Sequence, residues 1–378
     1  MKKTVIFIFL LIVFICVFSI DAGADKVYEY ELSDGGVTKA ESKLSEFFES
    51  LPEDIKKELP EKRDDVTEYD IKYFENKIRN SLKEAVSPAI QTMALLMGSI
   101  IVSSVFSMLA DTVVGEGLKK TFSFCSCLCI SLCVWDAIEK VLNAACALLD
   151  TLTQTMLLMI PAMEAVYISS GNLTGAAVSA TGINLMISFG EMLFSGILSP
   201  CAMAVFIIAI VGALTDDRGV AYMTKTVRGI VTGAVTASMT LMTFVLTLQS
   251  TGAAAQDGFI CRTVKFAIGN YLPIVGGAVA DSFSVLSGSL NIIKNACGLG
   301  GIAVIVIAFI TPFALIFLIR IAVGFAGAMA AVLGCQREGG LLDECKGICT
   351  LMLAVCSGGA VMYIIALGIF CKTPVSFG

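Results

Sequence analysis

Residues 301–323, GIAVIVIAFITPFALIFLIRIAV, decide the class of this protein, because the run carries one charge, Arg320, and one proline, Pro312. In a helix of 1.5 Å rise per residue it is long enough to cross a hydrocarbon core of about 30 Å. Comparable stretches occur at 89–110, 121–138, 193–214, 229–248 and 347–370. The whole chain of 378 residues is 56% hydrophobic and only 15% charged, against about 25% charged residues in ordinary soluble domains. The expected fold class is therefore all-α: a polytopic α-helical membrane protein with six strong spans over 88–378.

Between the strong spans lie two weaker regions, 139–190 and 249–299, rich in Gly, Ala, Ser and Thr. Each contains a break, Ser169-Ser170-Gly171-Asn172 in the first and Ser287-Gly288-Ser289 in the second. They read as short hairpins, re-entrant segments or extra spans. Irregular backbone at membrane depth must be satisfied by protein or by a water-lined cavity, so these regions are the expected lining of anything the protein encloses.

The charge is unevenly placed. Residues 25–87 hold 11 Lys and Arg against 17 Asp and Glu, while the remainder carries 15 of each sign, so the net charge of −6 belongs to this one segment. An acidic surface is a poor ligand for nucleic acid or anionic head groups. Residues 1–24 precede it with Lys2 and Lys3, an apolar run from Thr4 to Ile20, and Ala22-Gly23-Ala24. That pattern is a secretory signal peptide, with an uncleaved anchor as the alternative, and it places 25–87 outside the cytoplasm. Within 25–87, Leu44, Phe47, Phe48 and Leu51 mark one helical face, and Ile71, Phe74, Ile78, Leu82 and Val86 mark another. The segment reads as a solvated helical stalk or as an amphipathic docking surface. Lys119 and Lys120, then Arg218, Lys225 and Arg228, then Arg337 and Lys346 fall in three short connections that the positive-inside rule assigns to the cytoplasm.

Prolines reveal a repeat. Ser87-Pro88, Ser199-Pro200 and Thr311-Pro312 recur at an interval of 112 residues, and Pro161 and Pro273 share it. So do Val211-Gly212 and Val323-Gly324. Against coincidence among similar apolar stretches, this favours a tandem unit with a third, partial copy. Each proline span enters from outside, so the copies run in the same direction, unlike the inverted repeats of many transporters.

Chemistry is sparse. The chain has no histidine, which removes the usual general base, the commonest metal ligand and every Ser-His or Cys-His pair. Fourteen cysteines are present, but none lies in 25–87, and Cys125, Cys127, Cys129, Cys133, Cys201, Cys356 and Cys371 sit inside apolar runs. They read as small hydrophobes, not as a disulfide framework or a zinc site. Gly219 to Thr226 ends in Lys-Thr like a phosphate-binding loop, but Thr224 stands where the second glycine is needed and no strand precedes it. No enzyme activity, cofactor or metal is expected. Asp136, Asp150, Glu164, Glu191, Asp281, Lys294 and Arg320 are functional candidates because charge is costly in hydrocarbon. Asp281 and Lys294 flank the Ser-Gly-Ser break and are expected to pair across a hairpin, and Arg320 to snorkel to the head groups. Gly229 to Gly233 and Gly324 to Ala328 form small-xxx-small faces that permit close helix packing, within one chain or between copies of it.

The stretch Arg262-Thr-Val-Lys265-Phe-Ala-Ile-Gly269-Asn270-Tyr-Leu-Pro273-Ile-Val-Gly276, with Ala280-Asp281-Ser282, Val285-Leu286-Ser287-Gly288-Ser289-Leu290 and Lys294-Asn295-Ala296-Cys297-Gly298, resembles the stage III sporulation protein AE family. The order of signal, exported segment and multi-span body is similar too. The resemblance implies a protein of endospore-forming bacteria, made in the mother cell and placed in the membrane around the engulfed forespore. It also implies partners: the other membrane proteins of its operon and a forespore membrane protein, in a channel or secretion complex. No catalytic residue carries over. Arg262, Lys265, Asn270, Pro273, Gly276, Asp281, Ser287, Gly288, Lys294, Asn295 and Gly298 are therefore candidates for packing or passage-lining. The alternative is a permease for a small solute that works alone.

Overall fold

The structure is a computed structural model, and it describes residues 35–51, 56, 71–113, 116–169, 173–192, 196, 198–215, 219–220, 222–242, 244–245 and 276–372. Among the described residues there is no strand. In chain order the helices are α1 (Gly35–Ser50), α2 (Ile71–Val113), α3 (Glu116–Ser169), α4 (Leu173–Glu191), α5 (Ser199–Thr215), α6 (222–242), α7 (Gly276–Val332) and α8 (Gln336–Lys372). The protein is an all-α polytopic membrane protein. Among the described residues four helices, within α2, α3, α7 and α8, are long and apolar enough to cross a membrane, and Ser199–Thr215 is a shorter apolar helix.

Three hairpins organise the bundle: α2 with α3, α5 with α6, and α7 with α8. Each first helix holds one of the Ser/Thr-Pro pairs. Pro88 and Pro312 lie inside α2 and α7, as Pro161 lies inside α3, and each removes one intrahelical hydrogen bond. Pro200 is the second residue of α5, where the missing N–H has no intrahelical partner to lose. The signal segment 1–24 and Pro273 lie outside the described residues.

Contacts fix the helix directions. Ser81 Oγ meets Thr311 Oγ1 at 2.9 Å and Ser104 Oγ donates to the Leu333 carbonyl at 3.4 Å, so α2 and α7 run parallel. Cys146 lies beside Cys356, and Thr153 bonds Tyr363 at 3.2 Å, so α3 and α8 run parallel as well. Arg228 meets Glu344 and Met239 packs on Gly358, which makes α6 parallel to α8. Trp135 lies against Phe206 with ring centroids 5.6 Å apart, while Ser199 bonds Cys146, so α5 is antiparallel to α3. Together these contacts bring all three hairpin turns to one end of the bundle, and the hairpins repeat in the same direction.

The α7–α8 turn shows how the local sequence stops a helix. Gly334 has φ 79°, a left-handed conformation that glycine adopts without strain. The N–H of Cys335 donates to the Ala330 carbonyl at 2.9 Å and that of Gly334 to the Ala331 carbonyl at 3.4 Å. This Schellman pairing satisfies the last carbonyls of α7 in a connection of three residues, 333–335.

Several expectations change. The boundary after residue 138 does not exist, because α3 runs unbroken from Glu116 to Ser169. Of the expected break at Ser169 to Asn172, Ser169 ends α3 and 170–172 lie outside the described residues. Ser287-Gly288-Ser289 is no break: α7 is continuous from Gly276 through it to Val332. A single glycine costs a helix only about 1 kcal/mol, and two flanking serines are insufficient to stop one. Asp281 and Lys294 therefore stand on one helix, about 20 Å apart along its axis, and make no hairpin pair. Arg337 and Lys346 lie on α8, not in a loop.

Candidate functional site

Polar side chains buried at the turn end are the candidate site. Glu338, on the first turn of α8, is 4% exposed and accepts a hydrogen bond from Ser103 Oγ of α2 at 3.1 Å. Ser103 also lies 3.7 Å from the sulfur of Cys335. Cys335 sits in the turn, and burial pushes its thiol above the ordinary range, so it stays protonated. Two turns further along α8, Glu344 is 5% exposed. Arg228 Nη1 of α6 donates to its carboxylate at 2.9 Å and to its backbone carbonyl at 3.3 Å, and Lys225 stands 4.0 Å away.

Glycine makes room for this pairing. A Cβ on Gly347 would occupy the space of the Arg228 guanidinium, so the arginine lies directly on the α8 backbone. On the opposite face of α8, the Lys346 chain covers Gly324, and Gly327 approaches Gly339, letting α7 and α8 close to near backbone contact. The 324–328 face thus packs within the chain. Gly229 and Gly233 instead face open space. Arg320 is tied to α8: its Nε donates to Thr350 Oγ1 at 2.8 Å, and Thr350 in turn donates to the Lys346 carbonyl at 2.8 Å. Thr232, Thr236 and Thr240 of α6 likewise donate to carbonyls four residues back, which satisfies their hydroxyls inside the helix.

Each buried cation or carboxylate here bridges two helices, and the geometry clamps α2, α6 and α7 onto α8. Among the described residues no three His, Cys, Asp or Glu side chains converge as a metal site would require.

The candidates drawn from sequence fall elsewhere. Arg262, Lys265, Asn270 and Pro273 lie outside the described residues. Gly276, Asp281, Ser287, Gly288, Lys294, Asn295 and Gly298 all sit on the first half of α7, away from the turns. Of these, Lys294 is enclosed at 1% exposure, beside Cys297, which is also buried. Asp136 pairs with Lys140 four residues on at 2.7 Å, both exposed, which is an ordinary surface pair. Sequence reasoning missed Ser103, Glu338 and Glu344. The signal was present for Glu338, which shares a three-and-four spacing with buried Leu341, Leu342, Cys345, Ile348 and Met352.

An all-α bundle of long apolar helices, cross-braced by buried ion pairs and Ser/Thr hydrogen bonds, defines a polytopic membrane protein whose described polar groups serve packing. The chain belongs to the stage III sporulation protein AE family, whose model matches residues 54–373. It is similar to the stage III sporulation protein AE of Bacillus subtilis (strain 168), at 25% identity over 215 residues. That match covers 56% of this chain and 54% of the relative, so it spans about half the length of the curated protein. No solved structure matches.

Proposed function

We propose that this sporulation protein is a non-enzymatic membrane component of a channel or secretion complex that links mother cell and forespore after engulfment. Its place is the mother-cell membrane around the forespore, with residues 25–87 on the extracytoplasmic side. Its partners are the other membrane proteins of its operon and a protein of the forespore membrane. The observation that carries this reading is membership of a stage III sporulation family over nearly the whole multi-span body. The clustering of the three hairpin turns at one end supports the orientation, since Lys119, Lys120, Lys225 and Arg228 lie at or near those turns.

Deleting the gene in a sporulating strain tests the proposal. The expected result is completed engulfment followed by failure of the forespore, and normal spores would overturn it. Affinity purification from sporulating cells is expected to recover the operon's membrane proteins. For the orientation, a cysteine placed at Asp34 is expected to react with an impermeant maleimide from the extracytoplasmic face of the membrane.

A further inference from the structure

The helices are too long for the bilayer. At 1.5 Å per residue, α3 with 54 residues is about 80 Å long and α7 with 57 is about 85 Å. A hydrocarbon core of about 30 Å takes up roughly 40 Å of helix even at a tilt of 40°, the upper end of what is observed. About half of each helix must therefore lie outside hydrocarbon.

Register decides which half. Ser103 bonds Glu338 and Ser104 bonds the Leu333 carbonyl, which levels the middle of α2 with the α7–α8 turn. Ser81 bonds Thr311, and around Ser81 the surface of α2 exposes Arg79, Asn80, Lys83 and Glu84, interspersed with Ile78, Leu82 and Val86. Exposed charges of that density do not face lipid tails. Thr311 consequently lies outside the hydrocarbon, as does the part of α7 before it.

Exposure agrees. Among the described side chains of α7, which begin at Ile293, the large apolar ones exposed are Ile321, Phe325 and Val332, all on the turn side of Thr311. Before Thr311, Val304, Ile305 and Ile307 are fully buried in the bundle. On α3 the exposed apolar series Phe122, Phe124, Leu128, Leu132 and Trp135 is followed by exposed Asp136 and Glu139, with Leu157 and Ile168 exposed further along. Finally, α1 lies at the far level: its Phe48 ring covers Gly300, while Glu46 and Glu49 face outward.

We infer that the protein has two layers. The half nearest the turns is the membrane layer. The part beyond Lys140 of α3, which takes in α7 up to Thr311, with α1 and the start of α2, is a helical body standing clear of the bilayer on the face opposite the turns. The strongly apolar stretch 301–310 is the protein-covered core of that body and not a lipid-facing span. The surface of this layer sets exposed charges such as Arg79 and Glu84 among exposed Ile78, Leu82, Leu157 and Ile168, a mixed surface suited to another protein. This layering is independent of the channel reading, and its test needs only the protein in membranes.

Single cysteines at Leu132, Leu157 and Ile168, three exposed positions along α3, are treated in membranes open to both faces with a charged maleimide, and labelled sites are located by mass spectrometry. Full labelling of Leu157→Cys and Ile168→Cys is expected, with none at Leu132→Cys or at native Cys125 and Cys129, which are exposed in the membrane layer. Protection of Leu157→Cys and Ile168→Cys to the level of Leu132→Cys would overturn the inference. Should a variant misfold, Glu164→Cys on the same side of α3 supplies a second reading with the same two outcomes.

Discussion

The two ends of this bundle reverse each other's surface. Near the turns, charged groups such as Glu338, Glu344 and Arg228 are turned inward or half-inward, while Leu132, Phe106 and Phe325 are exposed. At the far end Glu46, Glu49, Arg79 and Glu84 face out and Phe47, Phe48, Leu51 and Val304 are enclosed. A single helix, α7, contributes to both, which teaches that hydropathy reports burial and not what does the burying. Lipid and protein are equally apolar neighbours.

The same contrast applies to ion pairs, where the largest effect is expected. Glu344→Ala leaves Arg228 partly enclosed without its counter-charge and should destabilise the bundle by about 3 to 5 kcal/mol, read as a large fall in thermal midpoint in detergent. The double change Arg228→Met with Glu344→Leu should recover most of that loss, since a packed apolar pair avoids the desolvation cost. Asp136→Ala removes an exposed pair within one helix, and should cost less than about 1 kcal/mol. Equal losses at Glu344 and Asp136 would erase the distinction between the two ends.

Next in size is the seat of α1. Phe48 is 8% exposed with its ring on Gly300, and truncating a buried phenylalanine costs about 3 to 5 kcal/mol. Here the loss should appear locally, as release of α1. Phe48→Ala is expected to make 35–51 protease-sensitive while the thermal midpoint of the membrane layer stays put. A uniform loss across the whole bundle would mean that the layers fold as one unit.

Glycines give a smaller, sharper comparison. Gly334→Ala forces an alanine into φ 79° and should cost about 1 to 2 kcal/mol. Gly347→Ala should cost at least as much, because its methyl takes the place of the Arg228 guanidinium. Gly229→Ala meets open space, and helix propensity favours alanine by up to about 1 kcal/mol. The ordering of the three, measured by thermal unfolding, checks which small-residue face packs inside the chain.

Much of this fold is legible in sequence, and the reasons for the rest are physical. The Ser/Thr-Pro interval and the clustered Lys and Arg locate three turns because helix geometry and charge both leave local marks. The continuity of α3 past residue 138 and of α7 through Gly288 leaves none, since a helix covered by protein tolerates Gly, Ser and Thr that lower its hydropathy. Lys225 and Arg228 resemble loop charges until the third dimension brings Glu344 from another helix. Glu344 is invisible as a buried acid because its partner Arg228 lies 116 residues away. The α7 candidates from Gly276 to Gly298 rest on family resemblance, and the structure adds to them one firm fact, the enclosure of Lys294.

The smallest expected effect probes whether every buried hydroxyl serves packing. Thr92 of α2 is 3% exposed, and its Oγ1 has no hydrogen-bond partner among the described residues. A buried hydroxyl left unpaired costs about 1 to 3 kcal/mol, whereas an apolar replacement of the same shape avoids that cost. Thr92→Val should therefore be neutral or stabilising. Thr350→Val is the matched control: it strands the Arg320 Nε that now bonds at 2.8 Å and should cost about 1.5 to 3 kcal/mol, the range for a bond to a charged group. If Thr92→Val instead lost as much as Thr350→Val, the Thr92 hydroxyl would have to bond a group supplied from outside these helices. The polar interior of the membrane layer would then be a binding surface as well as a clamp.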